Sequence, residues 1–238
     1  MESVKGKNVL LTGATGGIGR ATAKLLAGSG ANLFITGRDR EKLQQLATEL
    51  GLPAQNMLAA DLTQSQEIAS LQQQYFSVFS TIDILVNASG IGIIKSLEQL
   101  SEDEFLKTIH INLYAPFLLM KAFLPAMKEQ KKGLVINIPG VLGKVPMAGA
   151  AAYSASKYGL VGMMQSIREE LKRTDIRITS IYMGGVDSAF WDNIDLRVQR
   201  DKMIRSEEAA KAIWFLCQQP ASGVVSEMVL QPFNHQAI

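Results

Sequence analysis

The amino-acid sequence predicts an α/β fold in which a predominantly parallel, seven-stranded sheet is doubly wound and covered by helices on both faces. Two observations predict this fold: short apolar runs alternate with helical patterns along the chain, and a glycine-rich turn follows the first apolar run. With 47% hydrophobic and 19% charged residues, the composition is typical of a packed globular protein. The 238 residues contain no repeat, low-complexity segment or Pro/Ser-rich linker, so we expect residues 1–238 to form a single domain.

The seven predicted strands are short apolar runs bounded by turn signals. They cover residues 8–12, 31–36, 54–60, 82–86, 134–138, 176–182 and 227–231. The helical patterns between them cover residues 18–27, 40–50, a segment that begins near 63, 101–130 with a break around 112–116, 152–173 and 206–218. Thr63 with Gln66, and Ser101 with Glu104, have the spacing of capping boxes, which predicts where two of these helices begin.

The least regular part of the sequence is residues 183–205, which are too long for an ordinary connection. Loops of that length in compact domains are usually functional, and many act as lids. The apolar pair Phe190 and Trp191 within this segment could cover a substrate, or could simply pack against the fold.

Charge and composition exclude several classes of function. A total of 24 Lys and Arg against 22 Asp and Glu gives a net charge of +2, which argues against nucleic acid or an anionic membrane as a partner. Cys217 is the only cysteine, so a disulfide framework is excluded, and His110 and His235 match no metal-ligand spacing. No apolar run approaches about 18 residues and the N-terminus has no long apolar segment, so we expect a soluble, cytoplasmic protein without a metal.

The first motif that carries chemistry is the glycine-rich turn Thr12–Gly19, which has a strand before it and a helix after it. Glycines let the backbone turn tightly and approach a pyrophosphate, while the N–H groups and dipole of the new helix face the anion. The turn therefore predicts a dinucleotide-binding site, with the candidate contacts Gly13, Thr15, Gly16, Gly17, Ile18 and Gly19.

Cofactor choice is predicted from the residues that follow the second strand. A fold that selects NAD usually has an acidic residue there for the ribose 2′-OH, and one that selects NADP has a basic residue for the 2′-phosphate. Gly37 occupies the acidic position and Arg38 supplies a planar, doubly donating cation. Asp39 comes one position late and could instead begin the next helix. NADP(H) is therefore favoured over NAD(H).

The second motif is Tyr153-x-x-x-Lys157, which places a phenol and an ammonium on one face of a helix. A nearby ammonium favours the tyrosinate, so we expect the pKa of Tyr153 to fall from its usual value of about 10 towards neutrality. Such a tyrosine can donate a proton to a carbonyl oxygen or accept one from an alcohol. Beside a nicotinamide site, the pair predicts carbonyl–alcohol interconversion.

Taken in order, these motifs resemble those of the short-chain dehydrogenase/reductase family over nearly the whole chain, which implies a Rossmann-like fold. Residues 12–19 match the family's TGxxxGIG motif, residues 87–90 resemble its NNAG turn, and residues 184–188 resemble the segment that closes over the nicotinamide. The resemblance makes Asn112, Tyr153 and Lys157 the catalytic residues. The further cofactor contacts that it implies are Asp61, Leu62, Asn87, Ala88, Gly90, Gly184, Val186 and Ser188, together with Tyr153 and Lys157 themselves.

The resemblance also implies finer roles and an assembly. Lys157 would bind the nicotinamide ribose, Asn112 would hold a water that links Lys157 to solvent, and the helices near 112–130 and 152–173 would form a homo-oligomer, either a dimer or a tetramer. The substrate would be a small-molecule carbonyl or alcohol. A hydrophobic one is suggested by candidate lining residues that could equally be core or subunit contacts: Ile91, Ile93, Ile94, Leu142, Val145, Met147, Phe190 and Trp191.

Several positions depart from the family pattern: Ala88 and Ser89 replace the central pair of the NNAG turn, Met183 replaces the usual Pro and Ser188 the usual Thr. The departure in the active site is at position 140. The family has a serine thirteen residues before the tyrosine, which binds the substrate oxygen, and here that position is Gly140, between Pro139 and Val141. Ser154 and Ser156 are not expected to replace it, because their helical positions point away from Tyr153 and Lys157. Loss of one such donor costs about 10²–10³ in rate. Three interpretations stay open: a working reductase in which water or a substrate hydroxyl takes the serine's place, an impaired NADP(H)-binding sensor or partner protein, or an engineered substitution.

Overall fold

A computed structural model describes residues 1–194 and 196–233 of the chain; Asp195 and residues 234–238, and with them His235, lie outside the described residues. The strands are Asn8–Thr12 (β1), Asn32–Gly37 (β2), Met57–Ala59 (β3), Ile84–Asn87 (β4), Lys132–Asn137 (β5), Asp175–Met183 (β6), Val186–Asp187 (β7), Ile204–Arg205 (β8) and Glu227–Leu230 (β9). The α-helices are Gly17–Gly28 (α1), Arg40–Glu49 (α2), Ser65–Val78 (α3), Glu102–Ile109 (α4), Ala115–Glu129 (α5), Ala151–Leu171 (α6) and Ser206–Leu216 (α7).

Seven of these strands form one sheet in the order β3-β2-β1-β4-β5-β6-β9, and every neighbouring pair is parallel. The predicted α/β fold with a doubly wound parallel sheet is therefore confirmed. The chain runs from β1 outwards to β3, then returns to the centre and runs outwards through β4. The carboxyl ends of β1 and β4 consequently lie side by side at the point where the winding direction changes, which is where open α/β sheets bind ligands.

The two faces of the sheet carry two separate cores, because successive side chains of a strand point to opposite faces. Val9 and Leu11 of β1 belong to a core shared with α1, α2 and α7, whereas Leu10 belongs to one shared with α3, α5 and α6. Both faces are buried, which explains why the strands read as continuous apolar runs rather than as an alternation of polar and apolar residues.

Two predicted details of the elements differ from the structure. Strand β3 has three residues, because Ala54–Asn56 form a 3₁₀ turn before it. The capping box predicted for Thr63 and Gln66 is wrong: α3 begins at Ser65, and the Thr63 hydroxyl and N–H both donate to Asp61 Oδ1, at 2.8 and 3.0 Å. The capping box of Ser101 and Glu104 is confirmed.

The expected break in the long helical stretch is a π-helical turn, His110–Tyr114, between α4 and α5. Pro116 follows it and has no N–H to donate to the carbonyl of Asn112, so the regular hydrogen-bond ladder cannot continue through this point.

As one continuous helix, Glu102–Glu129 is long and apolar enough, with a mean hydropathy of 1.2, to meet a length-and-composition test for crossing a membrane. Core helices meet the same test, and α5 buries Leu119, Phe123 and Met127 in the second core.

Candidate functional site

The glycine-rich turn lies against the end of β4. Gly13 has a φ of +65°, and a Cβ there would lie 2.7 Å from both the Ala88 carbonyl oxygen and the Ser89 N–H nitrogen. Only glycine allows this conformation and this approach together. A Cβ at Gly19 would likewise lie 2.8 Å from the carbonyl carbon of Gly13. The first turn of α1 and the turn after β4 therefore form one compact edge at the centre of the sheet.

The segment after β6 reaches the same edge. Gly16 caps α1 without a side-chain acceptor, and a Cβ at Gly17 would lie 2.7 Å from Ser188 Cβ and 2.9 Å from Ser206 Oγ. Gly184 donates its N–H to the Leu230 carbonyl at 2.8 Å, and Val186 pairs with β8. Residues 184–188, which contain three of the predicted cofactor contacts, are distant from α1 in the sequence. The structure places them beside the start of α1.

Arg38 and Asp61 line one cleft at the ends of β2 and β3, with a volume of about 360 Å³. Burial alone would raise the pKa of the Asp61 carboxyl, but hydrogen bonds from Thr63 and the charge of Arg38 outweigh it and hold that pKa below its usual value. A Cβ at Gly37 would lie 3.1 Å from Thr15 Oγ1, so the glycine at this position leaves room for Thr15.

Asp39 has the alternative role that the sequence left open: its carboxylate accepts from the Lys42 N–H at 3.0 Å and caps α2. The neighbouring Arg38 is exposed at the edge of both clefts of the site. Leu62 is buried beside Asp61.

Asn87, at the end of β4, has a buried side chain that is only partly satisfied. Its Nδ2 donates to Asn137 Oδ1 at 2.7 Å, while its Oδ1 is buried without a hydrogen-bond partner in the described part of the chain. Buried polar atoms are normally paired, so an acceptor left without a partner at the end of β4 is a candidate contact for a ligand. The unpaired Asn87 acceptor, and the edge at Gly13 and Gly17 from which no side chain projects, fit a bound dinucleotide.

Tyr153 and Lys157 lie on one face of α6, as their spacing predicts. Lys157 is buried, its Nζ lies 5.4 Å from the centroid of the Tyr153 ring, and it donates to the Ile138 carbonyl at 3.0 Å. Burial lowers the pKa of Lys157 to about 8. Burial also raises the pKa of Tyr153 above its usual value, so the predicted fall of that pKa is wrong for the chain by itself: removal from water outweighs the nearby ammonium.

Asn112 lies on the π-helical turn, and three hydrogen bonds to residues outside that turn hold its side chain in this site. Its Oδ1 accepts from the Ile91 N–H at 2.9 Å, and its Nδ2 donates to the Ile91 carbonyl at 2.9 Å and to Ser156 Oγ at 3.0 Å. A Cβ at Gly90 would lie 3.2 Å from Asn112 Oδ1 and 3.6 Å from Lys157 Nζ, so the two predicted catalytic side chains flank the turn after β4.

Ser156 is a residue that sequence reasoning missed. Its hydroxyl accepts from Asn112 Nδ2 at 3.0 Å and donates to the Tyr153 carbonyl at 2.7 Å. Serine hydroxyls in helices commonly bond a carbonyl one turn back, so its position three residues after Tyr153 was an available signal.

Gly140 lies beside the Tyr153 phenol, as counting back from Tyr153 predicts. Its backbone has φ +68° and ψ 171°, a region that is essentially restricted to glycine. A Cβ there would lie 3.8 Å from Tyr153 Oη and 3.4 Å from the Met183 carbonyl oxygen. A Cβ would therefore make ordinary van der Waals contacts, and the restriction on a side chain at this position comes from the backbone conformation.

A second cleft, of about 750 Å³, runs from Arg38 past Gly90 to Phe190. Of the apolar residues predicted to line a substrate site, it contains Ile91, Ile93, Ile94 and Phe190. Phe190 and Trp191, the apolar pair of the irregular segment, make different contacts. Phe190 contacts the Tyr153 ring, whereas Trp191 packs against its own segment and donates from Nε1 to the Val186 carbonyl at 2.9 Å.

Comparison with known proteins decides the family. The sequence model of the family described as short chain dehydrogenase matches residues 7–199. The chain belongs to the short-chain dehydrogenase family. An uncharacterized oxidoreductase of Staphylococcus epidermidis is 31% identical over 232 residues, which cover 98% of this chain and 100% of that protein.

Solved structures of short-chain dehydrogenases and related enzymes share the fold over nearly the whole chain. A metagenomic short-chain oxidoreductase in complex with NADP has 32% sequence identity and a TM-score of 0.84, with 98% of this chain and 100% of that chain covered. The alcohol dehydrogenase of the archaeon Thermococcus sibiricus, complexed with 5-hydroxy-NADP, has 25% identity and a TM-score of 0.90, again with 98% and 100% covered. This short-chain dehydrogenase is therefore an oxidoreductase with a Rossmann-like fold.

Proposed function

We propose that this protein is an NADP(H)-dependent oxidoreductase that interconverts a carbonyl and an alcohol, with Tyr153 as the acid and base. The observation that carries the proposal is the convergence of Tyr153, Lys157 and Asn112 around the turn after β4, next to the glycine-rich edge of β1 and α1. The NADP and 5-hydroxy-NADP bound by two structural neighbours support the choice of cofactor.

The chain offers a contact for each part of the dinucleotide. The N–H groups at the start of α1, around Gly17, would hold the pyrophosphate, and Arg38 would bind the 2′-phosphate. Asp61 and Leu62 would border the adenine, and residues 184–188 the nicotinamide end. When bound, NADP(H) supplies hydride to the carbonyl carbon or accepts it from the alcohol.

Tyr153 and Lys157 handle the proton. Burial keeps the pKa of Tyr153 high, so its phenol is protonated at neutral pH and can donate to a carbonyl oxygen as negative charge develops there. Lys157, with a pKa of about 8, exists in both charge states near neutrality. The protonated form of Lys157 stabilises the tyrosinate of Tyr153 by its positive charge. In alcohol oxidation the same groups act in reverse, so that direction requires a higher pH.

Gly140 favours a second candidate, an impaired NADP(H)-binding sensor or partner protein on the same fold. The position beside Tyr153 Oη lacks a hydroxyl donor, and its backbone is one that serine does not readily adopt. A loss of about 10²–10³ in rate from one donor still leaves an acceleration of about 10³–10⁴ from an enzymatic enhancement of about 10⁶. Weakened catalysis is therefore the primary proposal.

The test is NADPH consumption with a panel of ketones and aldehydes, by wild type, Tyr153→Phe and Tyr158→Phe. Tyr158 is an exposed tyrosine on the same helix and serves as the matched control. We expect Tyr153→Phe to abolish turnover while it retains NADPH binding by calorimetry, and Tyr158→Phe to behave as wild type. Tight NADPH binding by wild type without turnover of any carbonyl would favour the sensor, and equal rates in wild type and Tyr153→Phe would remove Tyr153 from the mechanism.

We also propose that the protein acts in the cytoplasm as a homo-oligomer formed through α5 and α6. Tyr114 and Phe117 present stacked, exposed rings at the start of α5, with centroids 5.9 Å apart. Exposed aromatic side chains that lie together on one helix support an interface. Light scattering after size-exclusion chromatography measures the assembly, and a monomer would refute it.

A further inference from the structure

The ring of Phe190 is seated on the backbone of Gly92, in the stretch that follows β4. A Cβ at Gly92 would lie 2.8 Å from Phe190 Cε2 and still closer to Cζ, so any side chain at position 92 would displace the ring. Phe190 also meets Tyr153 edge to face, with ring centroids 5.9 Å apart and an interplanar angle of 62°. The ring thus lies between the turn after β4 and the phenol.

The segment that carries Phe190 is tied down on both sides of the ring. Arg200 donates to Asp187 Oδ1 at 2.6 Å, to Asp192 Oδ1 at 2.7 Å and to the Ser188 carbonyl at 2.7 Å. The Ser188 hydroxyl in turn accepts from the Phe190 N–H at 3.4 Å. These contacts bridge residues 187–192, so the ring is held by its own short 3₁₀ helix as well as by Gly92.

Phe190 is also a wall of the cleft of about 750 Å³ that contains Gly92 and Ile94. A carbonyl group placed against Tyr153 would have two substituents, and the one directed towards Phe190 would have only the space that the ring, held on Gly92, leaves free. Tyr153 also borders Gly140, which has no side chain to fill the space next to the phenol.

We propose that Phe190, seated on Gly92, determines the size of the carbonyl substituent admitted beside Tyr153. The preferred substrates are then carbonyls with at least one small substituent, namely aldehydes and methyl ketones, and ketones with two bulky groups are excluded. This inference rests on the proposed carbonyl reduction.

The test compares kcat/KM for benzophenone, which has two phenyl substituents, with kcat/KM for acetophenone, which has one phenyl and one methyl. Phe190→Ala should raise the benzophenone-to-acetophenone ratio at least about tenfold, the size of effect that a few methylene groups have in a pocket. Gly92→Ala should lower the same ratio, because its methyl group pushes the ring away from Gly92 and towards the Tyr153 phenol. Phe215→Ala, which removes an exposed phenyl ring from α7, should leave the ratio unchanged.

The double variant makes the test specific to this contact. Once Phe190 is alanine, Gly92→Ala has no ring to displace, so the double variant should have the ratio of Phe190→Ala alone. Reduction of acetophenone with an unchanged ratio in Phe190→Ala and Gly92→Ala would overturn the selectivity inference alone. Absence of turnover of every carbonyl by wild type and by both variants would overturn the proposed function, and the inference with it.

Discussion

Gly140→Ser tests how the site works without a serine beside Tyr153. A Cβ at position 140 would fit without a clash, since its nearest atoms would be the Met183 carbonyl oxygen at 3.4 Å and Tyr153 Oη at 3.8 Å, which are ordinary van der Waals distances. The backbone resists it, because φ +68° with ψ 171° costs a residue other than glycine about 1–3 kcal/mol. Gly140→Ala carries the same strain without a hydroxyl and is the matched control.

We expect both variants to lose about 1–3 kcal/mol in the free energy of unfolding, measured by urea denaturation. A hydroxyl donor near the reacting oxygen is worth about 10²–10³ in rate when it is well placed. Because the serine here must first relax a strained loop, we expect kcat/KM for NADPH-dependent carbonyl reduction to be at least about tenfold higher in Gly140→Ser than in Gly140→Ala.

Equal kcat/KM in the two variants would refute the reasoning that a hydroxyl at this position reaches the reaction. Stabilities equal to that of wild type would refute the reasoning from backbone strain.

Three further predictions concern cofactor choice, the buried lysine and the cap of α2. Arg38→Ala should raise the Kd for NADPH about 10- to 100-fold and leave that for NADH nearly unchanged, because a charge-assisted contact to the 2′-phosphate is lost; Arg40→Ala is the control. Folded Lys157 has a pKa of about 8 against 10.5 in the unfolded chain, so the folded state binds fewer protons between these values. Wild type should therefore gain stability relative to Lys157→Met as pH rises from about 8 to about 10.5, by at most about 3 kcal/mol in urea denaturation. Asp39→Ala should lower the free energy of unfolding through loss of the helix cap without changing the ratio of the Kd values for NADPH and NADH.

Each of these predictions has a clear contrary result. An equal rise in the Kd values for NADPH and NADH in Arg38→Ala would show that the Arg38 side chain does not bind the 2′-phosphate. A stability difference between wild type and Lys157→Met that stays flat over that pH range would show that Lys157 keeps its ordinary pKa when folded. A shift of cofactor preference in Asp39→Ala would assign this carboxylate to the ribose.

Much of the fold could be predicted because its signals are local. Apolar runs such as that of β1, the turn that begins at Gly13 and the capping box of Ser101 each depend on a few neighbouring residues. The prediction failed at Thr63 because the spacing of a capping box does not reveal a competing acceptor. Asp61, two residues earlier, takes both the hydroxyl and the N–H of Thr63.

The candidate site shows the same division. The sequence by itself determined the turn at Gly13, the common helical face of Tyr153 and Lys157, and the absence of a hydroxyl at Gly140, since these follow from residue type and spacing. Only the tertiary structure decided that burial raises the pKa of Tyr153 and that Phe190 sits on Gly92. The physical reason is that removal from water and side-chain contact depend on segments that are distant in the chain and meet only when the sheet is assembled.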